Sequence, residues 1–244
     1  MTTPQHPTLD RHRHSLQCSF TEWLREQRPG DVLDLGAGDG QLLEHLSLDG
    51  LRARGVESSD EAVERARTLG RDVVQGSIDG AEFVMPSAEW ITIRHVLHHL
   101  AHPQRVMMRA AAAASRGLLV AEPFCATGLA QHAFTMRLES LCRSLDRRGG
   151  MIHARDLTAA ELCDLIPMSW SIELRYHAPL TRLPAEDVTA MLKKSAARAG
   201  LDLAELDFAD AREAAVIQEA ARAGLVAAAG SLVIMACRPI GSLS

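Results

Sequence analysis

The stretch DVLDLGAGDGQLLEHLSLDGLRARGVE, residues 31–57, decides the fold that we expect for this chain. Its apolar start, residues 32–35, is typical of a short buried β-strand. Three glycines at alternate positions follow within residues 36–40, and they let the backbone turn sharply and approach a ligand with no Cβ in the way. Leucines at helical spacing over residues 41–46 then predict a helix. The glycines therefore connect a strand to the N-terminus of a helix.

An acidic residue ends the next predicted strand. Residues 54–56 form that strand and Glu57 follows it, 17 residues after Gly40. A carboxylate at this place can accept two hydrogen bonds from the hydroxyls of a ribose. The free N–H groups and the partial positive charge of the preceding helix start also favour a ligand at this edge. Residues 31–57 thus predict a turn that can hold a nucleoside.

A glycine turn followed by an acid is found in more than one kind of nucleotide site. A dinucleotide fold uses G-x-G-x-x-G, in which the third glycine permits close packing of helix and strand. Here the spacing is G-x-G-x-G, and Gln41 stands in place of that third glycine. Asp34, which precedes the loop, suits a ligand with a cationic amino group better than an anionic pyrophosphate. A nicotinamide or flavin site, and a tight turn that binds no ligand, remain the alternatives.

The segment Asp34–Gly40, DLGAGDG, resembles the first motif of class I S-adenosylmethionine (SAM) dependent methyltransferases. The resemblance implies that the glycine loop lies against the methionine part of SAM and that Glu57 binds the ribose. Together with the ends of the later strands, it predicts a set of cofactor-binding residues. These are Asp34, Gly36, Ala37, Gly38, Gly40, Glu57, Ser58, Ser77, Ile78 and Arg94.

The predicted adenine contacts follow the third predicted strand, residues 72–76. The family commonly has an acidic residue and then an apolar one at this point, whereas this sequence has Ser77 and Ile78. The resemblance implies that the Ser77 hydroxyl bonds the adenine edge and that Ile78 lies against the ring. Asp79 is the alternative adenine contact.

The fourth predicted strand, residues 89–94, leads into the run VLHHL, residues 96–100. This run resembles the corresponding region of small-molecule methyltransferases related to ubiquinone and menaquinone biosynthesis. Since the carboxyl ends of parallel strands line the ligand crevice of such a sheet, we expect Arg94 and His95 at the site. His95 is a candidate for a general base or a substrate contact.

Four histidines between residues 95 and 102 at first suggest a metal site. His95 and His99 are four residues apart, as are His98 and His102, so each pair can share a helix face. The sequence has no H-E-x-x-H pattern and few carboxylates in this region, and we therefore predict no metal. We expect His98 and His99 to be packing or solvent-facing residues.

Two more residues are candidates for contacts with the substrate. Glu122 ends the fifth predicted strand, residues 117–122, with a solvated acid as the alternative. Tyr176, the only tyrosine, lies in the sixth predicted strand, residues 171–177. Its phenol can bond a substrate or its ring can lie beside a sulfonium, and the alternative is a core tyrosine with a satisfied hydroxyl. With His95, these are the predicted catalytic residues.

The composition excludes several classes of protein. A net charge of −5 over 244 residues argues against a broad nucleic-acid-binding surface. Five scattered cysteines without a C-x-x-C pair argue for reduced thiols and against a disulfide framework or a structural zinc site. No apolar run approaches the roughly 20 residues that span a bilayer, and the N-terminus lacks the apolar core of a signal peptide. We expect a cytoplasmic bacterial protein with no membrane partner.

The repeated order of strand and helix over residues 31–123 predicts an α/β fold with a Rossmann-like, doubly wound sheet of seven mostly parallel strands. We expect an N-terminal helical lid, a SAM-binding core in three segments, and two helical insertions that form a cap over the substrate or a dimer contact. The bounds are 1–29 for the lid, 30–123, 168–182 and 230–239 for the core, and 124–167 and 183–229 for the insertions.

These features predict a SAM-dependent methyltransferase that acts on a small molecule, of the secondary-metabolite or quinone-like kind, by in-line displacement. SAM is the expected cofactor, and a homodimer through the insertions is a further expectation. The sequence lacks the Asn/Asp-Pro-Pro-aromatic motif of enzymes that methylate amino groups of nucleic acids or proteins, so nucleic acid is not expected as a partner. Three alternatives stay open: a SAM-using cyclase or lyase, an NAD(P)-dependent oxidoreductase, and a SAM-binding subunit without catalysis.

Overall fold

The computed structural model describes residues 7–125, 130–177 and 181–239. Parts of the predicted lid, of the first insertion and of the predicted core lie outside the described residues. They are residues 1–6, 126–129 and 178–180.

Seven strands and eight α-helices are found within the described residues. The strands are β1 (Asp31–Leu35), β2 (Arg52–Glu57), β3 (Val73–Gln75), β4 (Ala88–Arg94), β5 (Ala114–Phe124), β6 (Ser171–His177) and β7 (Gly230–Cys237). The helices are α1 (Pro7–Glu26), α2 (Gln41–Ser47), α3 (Asp60–Thr68), α4 (Pro103–Ala113), α5 (Ala130–Arg148), α6 (Ala159–Asp164), α7 (Ala185–Arg198) and α8 (Phe208–Arg222). Two short 3-10 helices span Leu97–His99 and Leu203–Glu205.

The strands form one sheet in the order β3-β2-β1-β4-β5-β7-β6, which confirms the predicted fold class. The pairs β1–β2, β2–β3, β1–β4 and β4–β5 are parallel. After β1 the chain builds outward through β2 and β3, and then returns to place β4 on the other side of β1. This reversal of strand order creates a crevice at the carboxyl ends of β1 and β4, which is where such sheets bind ligands.

The helices beside the sheet follow from their apolar faces and caps. Leu42 and Leu46 of α2 and Phe20 and Leu24 of α1 are buried in a cluster with Trp90 of β4. These side chains recur at intervals of four residues, so each pair lies on one helix face. Their burial packs α1 and α2 against the sheet, and α2 begins directly after the glycine loop.

The cap predicted for α3 is confirmed. The Ser59 hydroxyl accepts a hydrogen bond from the Ala62 N–H at 3.3 Å. Asp60 and Glu61 occupy the first turn, where carboxylates interact favourably with the helix dipole. Because only two residues separate the end of β2 from the start of α3, this cap also fixes the turn that follows Glu57.

The distribution of backbone contacts divides the chain into two compact units. The sheet unit comprises Gln17–Glu122, Leu157–Tyr176 and Leu232–Ser244, and the helical unit comprises Met1–Leu16, Pro123–Asp156 and His177–Ser231. This division cuts the predicted lid between Leu16 and Gln17. It also assigns residues 157–167 to the sheet unit, whereas we expected them in the first insertion.

The helical unit has its own hydrophobic core. Leu138 and Leu145 of α5, Leu192 of α7 and Ile217 of α8 are all fully buried within it. Within the described residues, no helix is both long and apolar enough to cross a membrane.

Candidate cofactor site

The glycine loop follows β1 directly and is attached to the end of β2. Gly36, Gly38 and Gly40 have φ angles of 72°, 57° and 78°, which lie in the left-handed region that favours glycine. The N–H groups of Gly36 and Ala37 donate to the Val56 carbonyl at 2.8 and 3.0 Å. The loop is therefore held beside the residue that precedes Glu57.

The three glycines differ in what surrounds them. A Cβ on Gly36 would lie 2.3 Å from Cγ2 of Val96, and one on Gly40 would lie 3.1 Å from the side chain of Arg71. A Cβ on Gly38 would have no heavy atom of the described residues within 4 Å, its chain neighbours aside. Gly36 and Gly40 therefore serve packing within the protein, whereas Gly38 faces open space that a ligand can fill.

Glu57 is hydrogen-bonded to the glycine loop. Its Oε2 accepts from the Gly38 N–H at 2.9 Å, and its Oε1 accepts from the Ser59 N–H at 2.8 Å and from the Ser58 hydroxyl at 3.3 Å. The side chain is half-buried, and a carboxylate has about four lone-pair positions. Glu57 can thus keep its contact with the loop and still accept from the hydroxyls of a ribose.

Asp34 is a buried acid at the end of β1. It is 3% exposed and pairs in register with Thr92 of β4, whose hydroxyl donates to Oδ1 at 2.6 Å. Burial raises the pKa of Asp34 to about 6, while the Thr92 hydrogen bond and the positive charge of Arg94 act in the opposite direction. A buried carboxylate of this kind attracts a cationic group.

Arg94 supplies a positive charge that acts on that acid. Its Nη1 donates to Oε1 of Gln17 in α1 at 3.2 Å. Burial lowers the pKa of the guanidinium, and the charges of Asp34 and Asp39 raise it. A guanidinium is not deprotonated in proteins, so the group is positively charged. Arg94 is the last residue of β4, and its contact with the cofactor stays a prediction.

On the adenine side of the predicted site, both carboxylate oxygens of Asp79 are already hydrogen-bonded within the protein. Asp79 accepts from the Ala101 and His102 N–H groups at 2.7 and 3.2 Å through Oδ2, and from Arg105 at 3.1 Å through Oδ1. Both oxygens therefore stabilise the start of α4. Ser77 is exposed. Ile78 is 6% exposed. These two stay our predicted adenine contacts.

His95 adopts a strained backbone conformation at the carboxyl end of β4. Its φ is +56°, and among the described residues only His95 and Arg28 have a positive φ without being glycine. The His95 N–H donates to the Ala121 carbonyl of β5 at 2.7 Å. Such conformations cost about 1–3 kcal/mol and concentrate at functional sites.

Glu122 explains how that conformation is held. It is fully buried, so it is not the solvated acid that we considered. Its Oε1 accepts from the Val96 and Leu97 N–H groups at 3.0 and 2.9 Å, and its Oε2 lies 2.6 Å from Nδ1 of His98. The carboxylate thus fixes the turn that follows His95 and holds His98 as a buried packing residue.

Tyr176 lies apart from the other two predicted catalytic residues. Its side chain is 52% exposed, so the alternative of a core tyrosine is wrong. It belongs to β6, the outermost strand, and the sheet order places β5 and β7 between β6 and β4. At about 4.8 Å per strand, the two strands are separated by roughly 14 Å. The sheet therefore does not bring Tyr176 to His95.

Sequence reasoning missed two residues that support the site. Arg71 donates from Nη1 to the Asp39 carbonyl in the glycine loop at 2.8 Å and also pairs with Glu44 of α2. Gln17 contacts Arg94 from α1. Neither belongs to a motif, and their partners are 32 and 77 positions away along the chain, so no local pattern indicates them.

A family model described as a methyltransferase domain matches residues 9–164, which is more than half of the chain. The chain belongs to the class I SAM-dependent methyltransferase family. The glycine loop, the acid after β2 and the strand order described above are all in agreement with this assignment.

Solved structures of similar fold have low sequence identity. A putative methyltransferase from Bacillus halodurans is 13% identical, with a TM-score of 0.61 over 92% of this chain and 99% of that one. Magnesium protoporphyrin IX methyltransferase from Synechocystis, with bound SAM, is 14% identical, with a TM-score of 0.58 over 98% and 87%. The 4+2 cyclase SpnF is 18% identical, with a TM-score of 0.57 over 91% and 82%. A search of curated proteins found no significant match.

Proposed function

We propose that the protein transfers the methyl group of SAM to a small organic acceptor. The observation that carries the proposal is the hydrogen bond between Glu57 and the Gly38 N–H, beside open space at Gly38. This hydrogen bond joins the glycine loop, predicted to bind the methionine part, to Glu57, predicted to bind the ribose. The magnesium protoporphyrin IX methyltransferase, which has bound SAM in its structure, supports the choice of cofactor and of a small acceptor.

The residues present fit SAM better than a dinucleotide. In our proposal Glu57 accepts from the ribose hydroxyls, Ile78 lies against adenine, and the glycine loop presents main-chain N–H groups to the methionine part. The buried Asp34 favours a cationic amino group and disfavours a pyrophosphate. When bound, SAM supplies a methyl carbon that its sulfonium already activates.

The contribution of the protein is to align the acceptor, to exclude water and, for a hydroxyl or amine, to remove one proton. We propose that an imidazole nitrogen of His95 takes this proton, since His95 is held in a strained conformation at the ligand edge of the sheet. Glu122 is then a positioning residue, because it binds the main chain after His95 rather than the acceptor. Tyr176 remains a proposed contact with the substrate, at a place in the sheet separate from His95.

A second function stays open because one neighbour in fold is a 4+2 cyclase. A SAM-using cyclase or lyase would have the same cofactor site but would not release S-adenosylhomocysteine with a methylated product. The similar fold supports this alternative only at the level of architecture.

The acceptor, the cellular compartment and the oligomeric state are further parts of what we propose. We propose a secondary-metabolite or quinone-like acceptor, a cytoplasmic bacterial protein, and a homodimer through the insertions at residues 124–167 and 183–229. The net charge of −5 supports a small-molecule acceptor over a nucleic acid.

The proposal is tested by incubating the protein with SAM and a panel of small phenols, quinols, amines and thiols, with S-adenosylhomocysteine measured by mass spectrometry. We expect release that depends on one class of acceptor and that His95→Gln lowers kcat by about 100-fold or more without a change in cofactor affinity. SAM binding with conversion to any product other than S-adenosylhomocysteine would instead favour the cyclase or lyase.

A further inference from the structure

The second half of α1 brings a buried amide to the carboxyl edge of the sheet. Gln17 is 5% exposed, and its Nε2 has no hydrogen-bond partner among the described residues. A buried amide donor without a partner destabilises the protein, because it has lost its hydrogen bonds to water and gained none in return. An orphaned donor at this place therefore indicates a missing acceptor.

The orientation of this amide follows from its neighbour. A guanidinium has only donors, so the oxygen of the amide must face Arg94, as the 3.2 Å contact between Nη1 and Oε1 shows. The NH2 group is then the end that has no acceptor among the described residues. Gln17 and Arg94 together present one amide donor and one charged donor.

A buried acid lies on the strand next to that of Arg94, since Asp34 of β1 pairs in register with Thr92, two residues before Arg94 in β4. Arg94 is attracted by Asp34 and by Asp39 of the glycine loop. Donors for an anion and a buried acceptor for a cation therefore occur side by side at the ends of β1 and β4. An α-amino acid carries its ammonium and its carboxylate on one carbon, and it matches this arrangement of opposite charges.

We propose that Gln17 and Arg94 bind the α-carboxylate of the cofactor, while Asp34 faces its ammonium group. This inference rests on the proposed function, because it assigns the aminoacyl end of SAM within the same site. Ligand binding gives the Gln17 amide the acceptor that it lacks. The N-terminal helix thus selects ligands that carry an aminoacyl carboxylate.

The experiment measures the affinities of three ligands by isothermal titration calorimetry. S-adenosylhomocysteine has the whole aminoacyl arm, its decarboxylated form keeps only the ammonium, and 5′-methylthioadenosine has neither. For the variant Gln17→Leu, we expect the affinity for S-adenosylhomocysteine to fall about tenfold, and the affinities for the other two ligands to stay the same. The control Gln104→Leu makes the same change at an exposed position of α4 and should alter none of them.

A second variant separates a direct contact from a merely structural role. Gln17→Glu keeps the size of the side chain but places a carboxylate against that of the ligand. We expect it to weaken S-adenosylhomocysteine more than Gln17→Leu does, again without effect on 5′-methylthioadenosine.

Equal losses for all three ligands, or no loss for any, would overturn the assignment of Gln17. If Glu57→Ala weakened binding of all three ligands while Gln17→Leu did not act as expected, the proposed function would stand and only the role of Gln17 would be rejected. If the wild-type protein bound none of the three, the proposed function and this inference would both fail.

Discussion

At the scale of single residues, the site depends on a few backbone and side-chain contacts that have separate purposes. Gly36 gives room for Val96, whereas Gly38 gives room for a ligand and donates to Glu57. Asp34 is buried beside the same loop and carries a perturbed pKa. Stability and cofactor binding can therefore be changed independently.

The two glycines provide a test of this separation. Gly36→Ala should cost about 2–5 kcal/mol of unfolding free energy, since its Cβ clashes with Val96 and its φ is positive. Gly38→Ala should cost only about 1–2 kcal/mol, from backbone strain, yet weaken S-adenosylhomocysteine strongly because the methyl group fills the ligand space. Denaturant unfolding and calorimetry measure the two quantities. Similar effects of both changes on both quantities would contradict this distinction.

Asp34 predicts a pH dependence of cofactor affinity. Burial raises its pKa to about 6, so lowering the pH through this value neutralises the carboxylate in the ligand-free protein. The ammonium of the ligand then loses its partner, and affinity for S-adenosylhomocysteine should fall about tenfold between about pH 7 and about pH 5. Asp34→Asn should bind weakly with a much smaller dependence on pH. A wild-type affinity that is flat over this range would exclude the role given to Asp34.

At the scale of elements, the glycine loop is held from both sides. The end of β2 bonds its start through the Val56 carbonyl, and Arg71, before β3, bonds its far end at Asp39. The turn after β4 is held in the same manner by Glu122 of β5. Each ligand-facing loop thus depends on the neighbouring strand for its shape.

Arg71→Met tests the support of the glycine loop. The change keeps most of the side-chain volume beneath Gly40 but removes the hydrogen bond to Asp39. We expect an affinity for S-adenosylhomocysteine about three- to tenfold lower, because the N–H groups of the loop are less well ordered. The control is Arg67→Met in α3, an exposed arginine whose Nη1 lies 3.7 Å from Oε2 of Glu64. If both variants bind like the wild type, Arg71 does not order the loop.

At the scale of the whole molecule, every residue that we assign to the cofactor belongs to the sheet unit, while the helical unit has a separate core. The sheet unit alone therefore contains the groups that we propose for SAM. The cofactor site and the packing of the helical unit should respond to different substitutions.

Leu192→Ala tests the independence of the helical unit. Leu192 is fully buried in α7, so the loss of its side chain should cost about 2–5 kcal/mol of stability in that unit. Affinity for S-adenosylhomocysteine at a temperature where the protein is folded should not change. Thermal unfolding and calorimetry give the two readouts, and a loss of affinity comparable to that of Glu57→Ala would show that the cofactor site depends on the helical core.

The sequence predicted the sheet well because its signals are local. Alternating glycines, short apolar runs and the Ser59 cap indicate elements by themselves. The sequence indicates element boundaries less well where apolar residues have no regular spacing. The alanines before Ser115 hide the point at which α4 ends and β5 begins, and the mostly polar residues 7–12 do not reveal that they belong to α1.

The site was predicted less completely than the sheet, because side-chain partners are distant in sequence. Glu122 bonds the main chain of Val96, 26 positions earlier, and no pattern links the two. The same holds for Gln17 and Arg94, which meet only once α1 packs beside β4.

The most direct test of the central claim is the affinity of S-adenosylhomocysteine for the wild-type protein and for Glu57→Ala, measured by calorimetry at about pH 7.5, above the pKa of Asp34. The account predicts that the wild type binds, and that the variant keeps its circular dichroism spectrum but binds at least about tenfold more weakly. A folded variant with unchanged affinity would contradict the claim that Glu57 holds the ribose of a SAM-type nucleoside.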